Sequence, residues 1–271
     1  MIYPKVLIAI PTFNRVNTII ETINSVCSQK YKNWEIIILD NASTDNTKKK
    51  IAEKFSNEPR IQYKYFSQHV SLHKNWERAY QYIDKSYKYF KYLCSDDLLD
   101  ENFLDHAITS LENSSNKYYA YTSNVIYIRD KKPYKYRKYG FYGFEKIASL
   151  FFRNYVGCPS SMLLKTVGLI DFTNYPNFDY AGDIYQSLVY YSKNKKIFFG
   201  DKFLAYFQTN QQTSETNSMF GSIKMVNDKQ KMRTTIIPML FSRLNYYPMI
   251  LLSYFCYILE FLLFSLYRLT K

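Results

Sequence analysis

A chain of 271 residues with 47% hydrophobic content is long and apolar enough to fill one large core, with room for a small appendage, which excludes a disordered protein. Its 36 Lys and Arg against 23 Asp and Glu, a formal net charge of +13, suit a phosphate-bearing partner or an anionic surface. The 29 Tyr and 20 Phe offer stacking surfaces, but no aromatic and basic signature of an RNA-binding module accompanies them, so nucleic acid is not expected as a partner.

In chain order, the apolar β-branched run Lys5 to Ile10 stops at Pro11, and Val16, Ile19, Ile20, Ile23, Val26 and Cys27 then recur at helical spacing. Trp34 to Leu39 (WEIIIL) is a second continuous apolar strand, and NASTDNT supplies cap residues for a helix reaching about Phe55. Arg60 to Phe66 reads as a third strand, followed by a helix with Leu72, Trp76, Ala79, Tyr80 and Ile83 on one face. Tyr89 to Leu93 is a fourth strand, Asp100 to Leu111 a helix, and Tyr119 to Ile128 a fifth strand. The alternation then breaks at RDKKPYKYRKYGFYG. Beyond it the pattern is less regular, with a short helix near Phe144 to Phe152, a strand near Ser160 to Leu164, a helix from Asp183 and strands within Ile197 to Gln208. The first half therefore reads as a doubly wound, mostly parallel, Rossmann-like α/β sheet.

In open parallel sheets ligands sit beyond the carboxyl ends of the strands. Four polar groups fall there: Pro11 to Asn14, Asp40 with Asn41, His69 to Asn75, and Ser95 to Asp97. The adjacent Asp96 and Asp97 suit Mg²⁺ or Mn²⁺, which takes one or two protein carboxylates and fills its shell with phosphate and water. The same pair would also favour the positive N-terminal end of the next helix. Asp40, ending a buried strand, can accept the N–H of a base, or can serve as a turn former.

Together, IPTFNR before a helix, ILDNASTDNT at the second strand, LHKNW opening a later helix and YLCSDDLL resemble the family 2 glycosyltransferases of GT-A fold. The likeness covers about the first 110 residues closely, and the remainder through Gly168 to Asp171 and a later Asp183 before a helix. It implies a nucleotide-sugar donor whose base lies on Pro11, Thr12 and Asp40, with Asn14 at the same strand end and Lys74 and Asn75 approaching the nucleotide. It also implies a DXD-like motif binding ribose and Mn²⁺ or Mg²⁺. Here Cys94 stands where the motif's first Asp is usual, which leaves Asp96, also a ribose candidate, or Asp97 for the metal. The catalytic base it implies is Asp183 in YAGDIYQSL, with Asp179 as competitor; Asp183 also reads as a helix N-cap. The implied reaction inverts the anomeric carbon and builds bacterial surface polysaccharide or lipooligosaccharide on a glycan or lipid-linked acceptor. A non-catalytic GT-A-like scaffold of the same pathway is the alternative, and the lack of a Gly-rich phosphate loop disfavours a nucleotidyltransferase.

Three segments follow: 1–112 for the nucleotide sugar, 113–235 for the acceptor within the same domain, and 236–271 as a hydrophobic, membrane-associating tail. From Tyr246 to Tyr267 the only charge is Glu260, flanked by Arg243, Arg268 and Lys271. The length approaches the roughly 20 residues that cross a bilayer. A span, a helix on the membrane surface and a helix packed on protein all fit, and the basic run Lys131 to Lys138 fits an anionic membrane. Cys27, Cys94, Cys158 and Cys256 form no C-x-x-C pair, and His69, His73 and His106 lack metal spacing, so neither zinc nor a disulfide framework is expected. With no cleavable signal pattern before KVLIAIP, the expected location is the cytoplasmic face of an inner membrane.

Overall fold

A computed structural model describes residues 3–114, 117–140, 157–173, 176, 178, 182, 185–186, 189, 193, 196–209, 223–240, 248, 250–260 and 262. Strand β1 (Lys5–Thr12) leads into helix α1 (Ile19–Cys27), strand β2 (Trp34–Asn41) into helix α2 (Thr47–Phe55), and β3 (Ile61–Phe66) into a short helix α3 (Leu72–Glu77). The helix expected through Ile83 is α-helical only to Glu77 and tightens into a 3-10 turn over Arg78–Tyr82. Strands β4 (Tyr87–Tyr92) and β5 (Asp97–Leu99), helix α4 (Phe103–Glu112) and strand β6 (Ala120–Arg129) follow.

Period-2 alternation sorts the central strands between two apolar layers. Val6, Ile8, Ile10, Ile36 and Ile38 face Ile19, Ile23 and Val26 of α1 and Phe103, Leu104, Ala107, Ile108 and Leu111 of α4. Leu7, Ala9, Ile37 and Leu39 face the other way, toward Ala79, Phe90 and Tyr92. Both faces of β1 and β2 are covered, which is why these strands are near-continuous hydrophobic runs. The doubly wound expectation holds for this block, where β1 pairs in parallel with β2 and β4, and β2 with β3.

The sheet as a whole is mixed rather than mostly parallel, a correction to the sequence reading. Among the described residues it runs β3-β2-β1-β4-β8-β6-β9-β5, where β8 is Met162–Lys165 and β9 is Ile197–Gln208, and β7 (Lys132–Arg137) pairs with β6. Antiparallel pairs β4–β8, β6–β8, β5–β9 and β6–β7 match the parallel pairs in number. The basic stretch read as a break in regular structure is a hairpin. Asp130 (φ 49°) and Lys131 (φ 61°) make its two-residue turn, the positive-φ pair that matches the twist of tight hairpins. The exposure of β7 hides it from a search for buried strands.

By its internal contacts the chain divides into one unit of residues 1–139, 157–174 and 196–210, and a second of 140–156, 175–195 and 211–271. In the second unit the described residues include helix α5 (Ile223–Leu240) and the helical stretch 250–260. No described helix is long and apolar enough to cross a membrane, so of the three readings of the tail the span finds no support among the described residues.

Candidate active site

Strands β2, β1 and β4 are neighbours and parallel, so their carboxyl ends lie along one edge. Thr12 stands opposite Asp40 in register, with Pro11 opposite Leu39. Asp40 is fully buried, and its two oxygens are held differently: Oδ1 accepts the Ser43 amide at 2.8 Å, and Oδ2 accepts the Tyr63 hydroxyl. Burial, reinforced by the Asp40 hydrogen bond, pushes the Tyr63 hydroxyl far above its ordinary pKa, so it remains a donor.

Asn14, in the left-handed region at φ 51°, closes the loop across this edge. Its amide donates to Ser43 Oγ at 2.9 Å and its Oδ1 accepts the Thr44 amide at 2.8 Å. The residue at that turn thus ties the ends of β1 and β2 together. Asn41 holds the third segment, accepting the Val70 amide at 3.0 Å and donating to the Val70 carbonyl at 2.8 Å. Asn75 is buried and donates to the Leu39 carbonyl at 3.1 Å, while Lys74 is turned to Glu77 at 2.7 Å. The structure therefore brings Pro11, Thr12, Asn14 and Asp40 together, gives Asn75 a bracing contact behind them, and places the Lys74 ammonium in a helix-surface ion pair.

After β4 the two adjacent aspartates have different surroundings. Asp96 Oδ2 lies 3.9 Å from Arg15 Nε, with the side chains 17% and 12% exposed. Arg15 Nε is buried without a hydrogen-bond partner. Asp97 Oδ2 instead accepts the Ser160 hydroxyl at 2.6 Å, and Ser160 Oγ accepts the Cys94 amide at 3.1 Å. Burial raises both carboxyl pKa values; Asp96 adds to the rise at Asp97, and the Arg15 guanidinium opposes it at Asp96. Beneath them Lys91 is fully buried, donating to the carbonyls of Ser160 at 2.6 Å and Met162 at 3.0 Å, and burial lowers its pKa to about 7.

Among the described residues no group of three or more His, Cys, Asp or Glu is placed to hold a metal ion. The donors present are hard carboxylate oxygens. The partly exposed Asp96 fits a Mg²⁺ or Mn²⁺ that takes one protein carboxylate and completes its shell with diphosphate and water, with Asp97 next to it in sequence as the second candidate. Asp183 and Asp179 lie outside the described residues.

Arg15, Ser43, Tyr63 and Ser160 contact these candidate residues and were not anticipated from sequence. Arg15 ends the IPTFNR motif, so a signal for it existed. Ser160 lies 63 positions from the carboxylate it contacts, on a 3-10 turn (Pro159–Ser161), and nothing local marks it.

The sequence model described as "Glycosyl transferase family 2" matches residues 7–171, more than half of the chain. The chain is 30% identical over 118 residues to the GalNAc(5)-diNAcBac-PP-undecaprenol beta-1,3-glucosyltransferase of Campylobacter jejuni. That match takes in 44% of this chain and 37% of the relative, so the chain matches well under half of that protein's length. Among solved structures, S. aureus TarS in complex with UDP-GlcNAc aligns with a TM-score of 0.70 at 16% identity, over 91% of this chain and 70% of that one. The mannosyltransferase PcManGT from Pyrobaculum calidifontis, in complex with GDP-Man and Mn²⁺, aligns at 0.65 and 14% identity, over 93% and 69%. At these identities the two structures speak for the fold.

Proposed function

This chain belongs to glycosyl transferase family 2, and from that premise we propose that it moves a sugar from a nucleotide-diphosphate donor to a hydroxyl of a glycan or lipid-linked acceptor. The setting is assembly of a bacterial surface polysaccharide or lipooligosaccharide at the cytoplasmic face of the inner membrane. Supporting this is one observation above others: Thr12 and Asp40 lie at the carboxyl ends of β1 and β2, and the Asp96 loop follows the adjacent parallel β4, at a single sheet edge.

In this reading the base lies against Pro11, Thr12 and the buried Asp40, with Asn14 holding the loop that closes over it. Asp96 would hold a divalent cation, which supplies positive charge against the diphosphate as it leaves. Arg15, beside Asp96, adds a second positive group at the same place. The acceptor oxygen forms its bond to the anomeric carbon as the bond to the diphosphate oxygen breaks, and that electron pair departs with the nucleoside diphosphate. Attack from the opposite face inverts the centre. Asp183 takes the acceptor's hydroxyl proton as general base. A UDP-sugar is placed first because the TarS complex holds one; the GDP-Man complex of the archaeal neighbour keeps GDP as the second candidate.

A non-catalytic reading draws on Cys94 in the motif and on Asp97, whose carboxyl is turned to Ser160. Calorimetric titration of UDP, GDP and dTDP, with and without Mn²⁺, into wild type and an Asp96→Ala, Asp97→Ala double variant separates the two. Metal-dependent binding of one nucleotide, lost in the variant, supports the transferase and names its donor class. Folded wild type that binds none of them overturns it in favour of the scaffold.

A further inference from the structure

The helical stretch 250–260 has its faces reversed relative to a helix on the surface of a soluble domain. Leu251, Tyr254, Phe255, Ile258 and Leu259, continued by Leu262, follow one another at steps of three, one, three, one and three residues, a single stripe of a helix. All six are between 42% and 70% exposed. The opposite stripe carries Ser253, Cys256 and Glu260, and Ser253 and Cys256 are 0% and 1% exposed.

Polar contacts hold that inward stripe to helix α5. Ser253 Oγ accepts from Gln230 Nε2 at 3.3 Å, and the Tyr257 hydroxyl donates to Asn227 Oδ1 at 3.0 Å. Glu260 accepts from both terminal nitrogens of the fully buried Arg233, at 3.1 and 2.9 Å, and from Lys229 at 3.2 Å. This network fixes the helix's rotation, because turning the apolar stripe inward would strand Arg233 without its carboxylate.

We propose that the outward stripe is a membrane-insertion face, which seats the second unit in the surface of an anionic lipid bilayer. A contiguous apolar stripe of this size facing water marks an interaction surface, and charge selects the occupant. With the inward Arg233, Lys229 and Glu260 set aside, residues 211–271 still carry five Lys or Arg against two Asp or Glu. The one acid of the apolar segment, Glu260, faces inward between two cations, so no carboxylate of this helix opposes an anionic headgroup. Tyr254 adds the amphipathic ring suited to headgroup depth. One stripe exposed and apolar and the opposite one buried is the pattern of a helix lying in the plane of the interface. The inference is independent of the transferase reading, since lipid binding needs neither donor nor metal.

Flotation of the full chain with phosphatidylglycerol-containing and pure phosphatidylcholine vesicles tests it. Wild type should float with the anionic vesicles, at least about tenfold more weakly with the neutral ones, and release on adding salt. A Leu251→Ser, Phe255→Ser, Ile258→Ser variant should lose roughly two orders of magnitude of vesicle affinity while keeping its circular dichroism spectrum and its nucleotide titration. A single Phe255→Trp variant, which keeps the apolar face, should show indole emission quenched by brominated acyl chains. Unchanged flotation of the triple variant, or an unquenched Trp in protein bound to vesicles, overturns the proposal. So does a concentration-dependent dimer of wild type that the triple variant abolishes without any lipid binding, which assigns the face to a second copy.

Discussion

The parallel block around β1 and β2 and the helix pair around Arg233 place apolar and polar side chains in opposite senses. In the block, Ile8, Ile10, Ile36 and Ile38 are 0–1% exposed and polar groups gather at the strand ends. In the helix pair, Arg233 is as buried as those isoleucines, while Phe255 is 63% exposed. An apolar stripe at helical period therefore says only that two faces differ, and the surroundings say which of them meets protein.

The largest effect belongs at the polar edge of the parallel block. Asp96→Ala should lower transfer by roughly two to three orders of magnitude, as loss of a preorganised charge-stabilising group does, with unfolding temperature little changed. Unimpaired turnover would remove Asp96 from the chemistry. Next comes the core itself: Ile38→Ala should cost about 2–5 kcal/mol in denaturant unfolding, through lost burial and the cavity left behind. Arg233→Ala removes the main cation of a buried ion pair and should cost about 1–3 kcal/mol, since Lys229 still faces Glu260. A neutral result there would mean that the inward polar network does not hold the helix.

Lys91 gives a pH signature inside the block. Its folded pKa, about 7, lies below the ordinary 10.5, so between those values the unfolded chain binds more protons and stability rises with pH. The slope approaches about 1.4 kcal/mol per pH unit at most, for one proton. Lys91→Met should flatten that rise between pH 7 and 10, read from unfolding midpoints at each pH. A slope unchanged by the substitution would show that Lys91 is not the group responsible. The smallest effect belongs to the outward stripe: Phe255→Ser in lipid-free buffer should shift stability by no more than about 0.5 kcal/mol, because an exposed ring has little packing to lose. A loss comparable with Ile38→Ala would show that this face is covered in solution.

Much of the candidate site was legible because it is local in sequence. The β1–α1–β2 succession follows from two apolar runs and a helical repeat, and strand ends are where a parallel sheet exposes polar groups, so Pro11, Thr12, Asn14 and Asp40 could be picked out beforehand. Asn75 and Lys74 follow from the same logic, but position alone does not orient a side chain. One turns into the block beneath Asp40, and the other pairs with Glu77 on its own helix. The β6–β7 hairpin escaped notice because its turn, Asp130–Lys131, lacks the glycine that usually marks two positive-φ residues, and its outer strand is exposed.

Sequence by itself determined the succession from β1 to β4, the family resemblance, and the pairing of carboxylates with a strand end. These depend on near-neighbour spacing along the chain. Tertiary structure alone decided that Asp97 turns to Ser160 while Asp96 meets Arg15, that the sheet is mixed, and that the apolar stripe of 250–260 faces outward. Each of those outcomes depends on a residue tens of positions away, and such a partner leaves no periodic trace in the segment it fixes.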